Sequence, residues 1–106
     1  MGHDISGHNK AGEEIAYARF SMGNYNSLIL YSLLDADKYF AGVSGSGDSC
    51  TFSIQQIEKA LNTYNQKYGN GASLSETDWD LKQILDFIHN CLTTAQKEGS
   101  VCVYFG

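Results

Sequence analysis

Between residues 14 and 20 the chain alternates: Ile15, Tyr17 and Arg19 fall on one parity, Ala16, Ala18 and Phe20 on the other. That is the period of a pleated strand. A second run covers residues 3–8, and Asn9-Lys10-Ala11-Gly12 between the two is turn material. The pattern predicts a β-hairpin with Gly12 at positive φ. Both parities of the second strand carry apolar atoms, and the small Ala16 and Ala18 suit a face that helices approach closely.

The period then changes. Leu28, Ile29, Leu30, Leu33 and Leu34, preceded by Asn24 or Asn26 as a cap, predict a buried helix that ends before Gly42. Residues 42–48 hold three glycines in the first six positions and read as a loop. Ser53 with Gln56 makes a capping box, and Ile54, Ile57, Leu61 and Tyr64 follow at helical spacing to about Tyr68, where Gly69-Asn70-Gly71 stops them. Ser75 opens a third helix with Glu76, Asp78 and Asp80 in its first turns, where the macrodipole favours acids. Leu81, Ile84, Leu85, Ile88, Leu92 and Ala95 form its inward stripe, and Lys97 and Gly99 close it.

The run from Ser100 to Phe105 is β-rich, with apolar residues on both parities, and so belongs inside a sheet rather than at its edge. The order β-β-α-α-α-β predicts an α+β fold: a three-stranded antiparallel sheet, made of the N-terminal hairpin and the C-terminal strand. About three helices cover one of its faces. Residues 1–106 read as a single domain, a size able to fold without metal or disulfide staples.

Composition narrows the function. Twelve acids stand against seven bases, for a net charge of −5, and Arg19 is the only arginine. Nucleic-acid binding draws most of its affinity from Lys and Arg on phosphates, so this balance argues against nucleic acid as a direct partner. Cys50, Cys91 and Cys102 are odd in number and lack Cys-x-x-Cys spacing, which predicts free thiols in a reducing cytoplasm. No secretory signal and no apolar run long enough for a membrane is expected.

Three clusters are candidates for chemistry. His3, Asp4 and His8 look like metal ligands, but in a strand positions 3 and 8 point to opposite faces. Asp4 and His8 instead share a face and are placed to pair with Arg19, so no metal or other cofactor is expected. Each cysteine could be a nucleophile beside a histidine. His89 and Cys91 diverge on their helix, Cys102 sits in a strand as a small hydrophobe, and Cys50 beside the glycine loop is the least implausible of the three. The glycine loop followed by the helix at Ser53 has the outline of a phosphate cradle. It lacks the P-loop lysine and carries Asp48 where an anion would sit.

The remaining feature is Trp79, flanked by Glu76, Asp78 and Asp80. It is either an exposed anchor that the acids surround or a residue folded back beside Leu74.

The opening His3-Asp4-Ile5-Ser6-Gly7 and the hairpin Asn9-Lys10-x-Gly12-Glu13-Glu14-Ile15 resemble a set of small uncharacterised proteins of bacteria and their mobile elements. The likeness covers mainly the first third and is structural in kind, so no functional residue is carried over. Small acidic proteins on mobile elements often serve as inhibitors that dock on host defence or nuclease machinery, and at class level the resemblance implies such a role.

These readings converge on a protein-binding module without catalytic residues, which docks on a basic surface of a larger, nucleic-acid-handling protein. Glu13, Glu14, Asp35, Asp37, Asp78 and Asp80 would steer the approach, with Trp79, Tyr25 and Tyr39 as anchors. The alternative is a small-ligand or nucleotide-binding protein that uses Gly45, Gly47 and Ser53 with nearby aromatics. The chain is expected as a monomer, or as a homodimer joined through an edge strand of the hairpin.

Overall fold

A computed structural model describes residues 2–21, 27–39, 46–68 and 79–106. Its elements run β1 (Gly2–His8), β2 (Glu14–Ser21), α1 (Ser27–Leu33), a 3-10 turn (Asp37–Tyr39), β3 (Asp48–Ser53), α2 (Ile54–Tyr68), α3 (Trp79–Glu98) and β4 (Ser100–Phe105). The four strands form one antiparallel sheet in the order β2-β1-β4-β3. The fold is α+β as expected, with one strand more than the sequence pattern indicates.

The extra strand corrects the reading of residues 42–48 as a loop that runs to Asp48. Asp48 to Ser53 is polar except for Cys50 and Phe52, and only Phe52 is fully buried. A strand with so little apolar alternation escapes a periodicity argument. It forms because β4 offers it pairing along its whole length, from Asp48 opposite Phe105 to Ser53 opposite Ser100. β4 therefore lies inside the sheet, between β1 and β3, as its apolar residues on both parities indicated.

The hairpin turns as the sequence predicts. Asn9 and Glu13 close a three-residue loop, with the Glu13 amide also donating to Asn9 Oδ1 at 2.9 Å, and Gly12 sits at φ +85°. The Lys10 amide donates to Glu98 Oε1 at 2.7 Å, tying the hairpin tip to the end of α3.

Ile5, Ala16, Ala18, Phe20, Phe52, Val101, Val103 and Phe105 point from the sheet into one apolar core. Burial of each Ile, Val or Phe among them is worth about 1.5–3 kcal/mol. α3 lies along β2 and β4, α2 packs on α3 and β3, and α1 packs on α2. The buried line of α3 is Ile84, Phe87, Ile88, Cys91 and Ala95, while Leu81, Leu85 and Leu92 are half-buried at its flank. The helix is thus rotated from the expected leucine stripe toward Phe87 and Cys91. Gly7 explains the rotation: a Cβ there would stand 3.0 Å from Cys91 Sγ, so the bare glycine lets α3 settle directly on β1.

Helix ends follow local chemistry. The Ser53 amide donates to Gln56 Oε1 at 2.8 Å and the Gln56 amide to Ser53 Oγ at 3.3 Å, the reciprocal cap read from the sequence. α3 ends on Gly99 at φ +89°, whose amide donates to the Ala95 carbonyl, and β4 begins at the next residue. α1 closes with Ala36 N–H on the Tyr31 carbonyl and Asp35 N–H on that of Ser32, the two bonds of a Schellman motif. Here the left-handed residue is Asp35, at φ +57°, rather than a glycine. The expected caps at Asn24 or Asn26, the stop at Gly69-Asn70-Gly71 and the start at Ser75 lie outside the described residues.

Candidate functional site

None of the described helices covers the second face of the sheet. Strand parity puts Arg19 and Tyr17 of β2, Asp4, Ser6 and His8 of β1, Cys102 and Tyr104 of β4, and Ser49 and Thr51 of β3 on this uncovered face. Tyr17 is 47% and Tyr104 42% exposed, the only large hydrophobic side chains so exposed among the described residues. Each lies directly across from Ser6, one on either side. Two strand spacings put their backbones about 10 Å apart, which leaves Ser6 8% exposed between the two rings.

One end of this face is ionic. Asp4 and Arg19 are register partners, and Arg19 Nε lies 3.5 Å from Asp4 Oδ1. Tyr17 donates its hydroxyl to the same oxygen at 2.7 Å, and that bond holds the phenol above its ordinary pKa. The pairing of Asp4 with Arg19 is the one the sequence indicated. His8 departs from it: its Nε2 lies 2.9 Å from Ser6 Oγ instead. Asp4 engages the only arginine through Nε alone, and both side chains stay largely exposed, so the pair is a surface ion pair.

The other end is a concavity of about 510 Å3 between the hairpin turn and β3, lined by His8, Ser49, Thr51, Cys102 and Tyr104. His8 and Thr51 are the register partners of Cys102 on its two sides. Directly paired residues hold their Cβ atoms roughly 4.5–5.5 Å apart, so the imidazole and the thiol are neighbours in the floor of the concavity.

The other two cysteines sit differently. Cys91 is fully buried and burial pushes its thiol up to about 12. Cys50 is half-buried beside Tyr39, with which it shares a hydrogen bond that raises the tyrosine's pKa. Among the described residues no group of three or more His, Cys, Asp or Glu side chains is placed to hold a metal ion.

The residues singled out from sequence are not gathered in one place. Tyr39, expected as an anchor, is half-buried: its ring stacks on Phe105 at 4.9 Å with 5° between planes. The stack leaves only part of the ring open to a partner. Gly47, at φ +84°, precedes β3, and Ser53 ends it. Six residues of extended chain put about 20 Å between the two, and the Ser53 amide is already bonded to Gln56.

Trp79 and Asp80 begin α3. Tyr25, Gly45, Glu76 and Asp78 lie outside the described residues. Glu13 and Glu14 belong to the hairpin that Lys10 ties to Glu98, at the far end of α3 from Asp80. Eighteen helical steps make that about 27 Å, too far for these acids to act as one patch. Asp35 and Asp37 flank the end of α1.

Sequence reasoning missed the pairing of His8 with Cys102 and the row Tyr17-Ser6-Tyr104. The signal available was parity within each strand, which sorts faces correctly. The register between β1 and β4, which joins residues nearly a hundred positions apart, leaves no mark in either segment. No family model, no curated protein and no solved structure matches this chain.

Proposed function

We infer that this protein is a small acidic protein-binding module whose docking surface is the uncovered face of the sheet and whose partner presents a basic surface. One observation carries the reading: the two exposed large hydrophobic side chains among the described residues, Tyr17 and Tyr104, stand in a single cross-strand row on a face that no described helix covers. Tyrosine brings large contact area at low entropy cost and is enriched among the few residues that dominate interface energies. Charge supplies the partner's chemistry. The net charge of −5 favours a cationic polypeptide over a phosphate chain at long range, without a single acidic patch on the face. Blocking nucleic-acid-handling machinery in a host cell fits such a surface, since proteins of that kind present basic grooves.

Photo-crosslinkers placed at positions 17 and 104, with a third at the exposed Glu58 on α2 as control, test the face directly. The expected result is one polypeptide crosslinked from 17 and 104 but not from 58. Its retention should weaken with salt and fall at least tenfold with Tyr17→Ser/Tyr104→Ser, the size of a lost interface anchor. An Asp78→Lys/Asp80→Lys chain that loses the partner while the tyrosine pair keeps it would move the interface to the start of α3. Recovery of nucleic acid bound directly to the chain would refute the reading.

A further inference from the structure

The concavity on the uncovered face has a chemistry that docking does not use. Cys102 is half-buried at its floor, on the central strand β4. It does not stand alone. His8 is its register partner on β1 and Thr51 on β3, so an imidazole and a hydroxyl flank the sulfur on the same face. His8 Nε2 lies 2.9 Å from Ser6 Oγ, which leans the ring along β1 and leaves Nδ1 as the nitrogen to serve the neighbouring thiol. Ser49, Ser100 and the Tyr104 ring complete the lining, with the Lys10 side of the hairpin turn at the rim. At about 510 Å3 the space suits a small peptidic molecule rather than an ion.

We propose that Cys102 and His8 form a thiol-exchange site in which the concavity takes a low-molecular-weight peptidic disulfide, such as glutathione disulfide. The imidazole removes the Cys102 thiol proton, and the thiolate sulfur attacks one sulfur of the bound disulfide. The Cys102–S–S–R bond forms as the S–S bond of the reagent breaks. The departing thiolate takes the electron pair, and the imidazolium returns the proton to it as RSH. Cys102 is thereby oxidised to a mixed disulfide and half of the reagent is reduced to a thiol. An excess of free RSH reverses every step.

The other two cysteines lack this arrangement. Cys91 is sealed between α3 and Gly7. Cys50 lies toward the helix-covered side, its hydrogen opposite the Thr51 carbonyl at 3.7 Å and Tyr39 beside it. Cys50 is therefore an internal control within the same molecule.

The test exposes the folded chain to glutathione disulfide at neutral pH for timed intervals, traps it with acid, and maps the adducts by mass spectrometry. Cys102 is expected to acquire the adduct at least fivefold faster than Cys50, with Cys91 unmodified. His8→Gln is expected to slow Cys102 by roughly tenfold or more, within reach of a positioned base, while Cys50 keeps its rate; Thr51→Val should leave both unchanged. Equal or faster reaction at Cys50 in the unaltered chain overturns the proposal without any variant. A folded His8→Gln chain in which Cys102 reacts at the original rate overturns the role of the imidazole.

Discussion

Replacing Gly7 with alanine probes the contact that sets α3 on the sheet. The added Cβ would lie 3.0 Å from Cys91 Sγ, 3.2 Å from Ala16 Cβ and 3.4 Å from Ile15 Cδ1. The first two distances are inside ordinary contact, and both neighbours hang on main chain fixed by the helix and the β1–β2 pairing. Overpacking of this kind costs about 1–3 kcal/mol. Opposing it, alanine restricts the unfolded chain, a gain of about 0.5–1 kcal/mol. The expected net loss is about 0.5–2 kcal/mol, several degrees in Tm for a chain of this size.

Urea unfolding followed by near-ultraviolet circular dichroism measures the loss, and a double-mutant cycle assigns it. Cys91→Ala alone leaves a small void and costs about 1 kcal/mol. In the double variant the new methyl occupies space vacated by the sulfur, so the pair should be more stable than the sum of the singles by about 1 kcal/mol. Additivity within about 0.5 kcal/mol, or a Gly7→Ala chain as stable as its parent, would refute the close-approach argument.

Asp35→Gly should raise Tm by a few degrees. A residue with a Cβ in the left-handed region costs about 1–2 kcal/mol, of which the flexibility of glycine when unfolded cancels part; a fall in Tm would mean that the carboxylate does more than close α1. Gln83 of α3 accepts from the Arg19 amide and donates to its carbonyl, each at 2.9 Å, and so stoppers the outer edge of β2. Gln83→Ala should cost about 1–2 kcal/mol and let β2 pair with its mate; sedimentation that stays monomeric at every concentration would count against that stopper.

Alkaline titration should destabilise the fold in two stages. Burial raises the Cys91 thiol from 9.0 and the Tyr31 phenol from 10.0, each to about 12. The native state therefore holds protons that the unfolded chain releases, so stability is intact below pH 9 and declines as pH climbs toward 12. Urea midpoints from pH 8 to 11.5 should lose the part of the slope that begins near pH 9 in Cys91→Ala and the part that begins near pH 10 in Tyr31→Phe.

Local rules carried the hairpin, the capping box at Ser53, the glycine stop of α3 and the inward face of β2, because each is decided within a few residues. The α+β class followed from the order of those pieces. β3 was invisible because its polar residues gain their pairing from β4, a partner remote in sequence. The orientation of α3 was misjudged by roughly the width of a side chain, since leucine spacing carries no information about a glycine on the facing strand. The candidate site depends most on such remote facts. Parity assigned His8 and Cys102 to faces, but only the β1–β4 register brings them together, and the stack of Tyr39 on Phe105 likewise joins residues remote in sequence.

β1 lies between β2 and β4, so the two central strands of the sheet come from segments nearly a hundred residues apart. Until β4 arrives, the hairpin lacks the pairing on one side of β1 and its apolar face is without cover. Joining them closes a loop of nearly the whole described chain, which makes the central pairing the slow step of folding. An unpaired β1 edge beside that apolar face makes the half-built sheet, rather than the finished one, the species prone to aggregate.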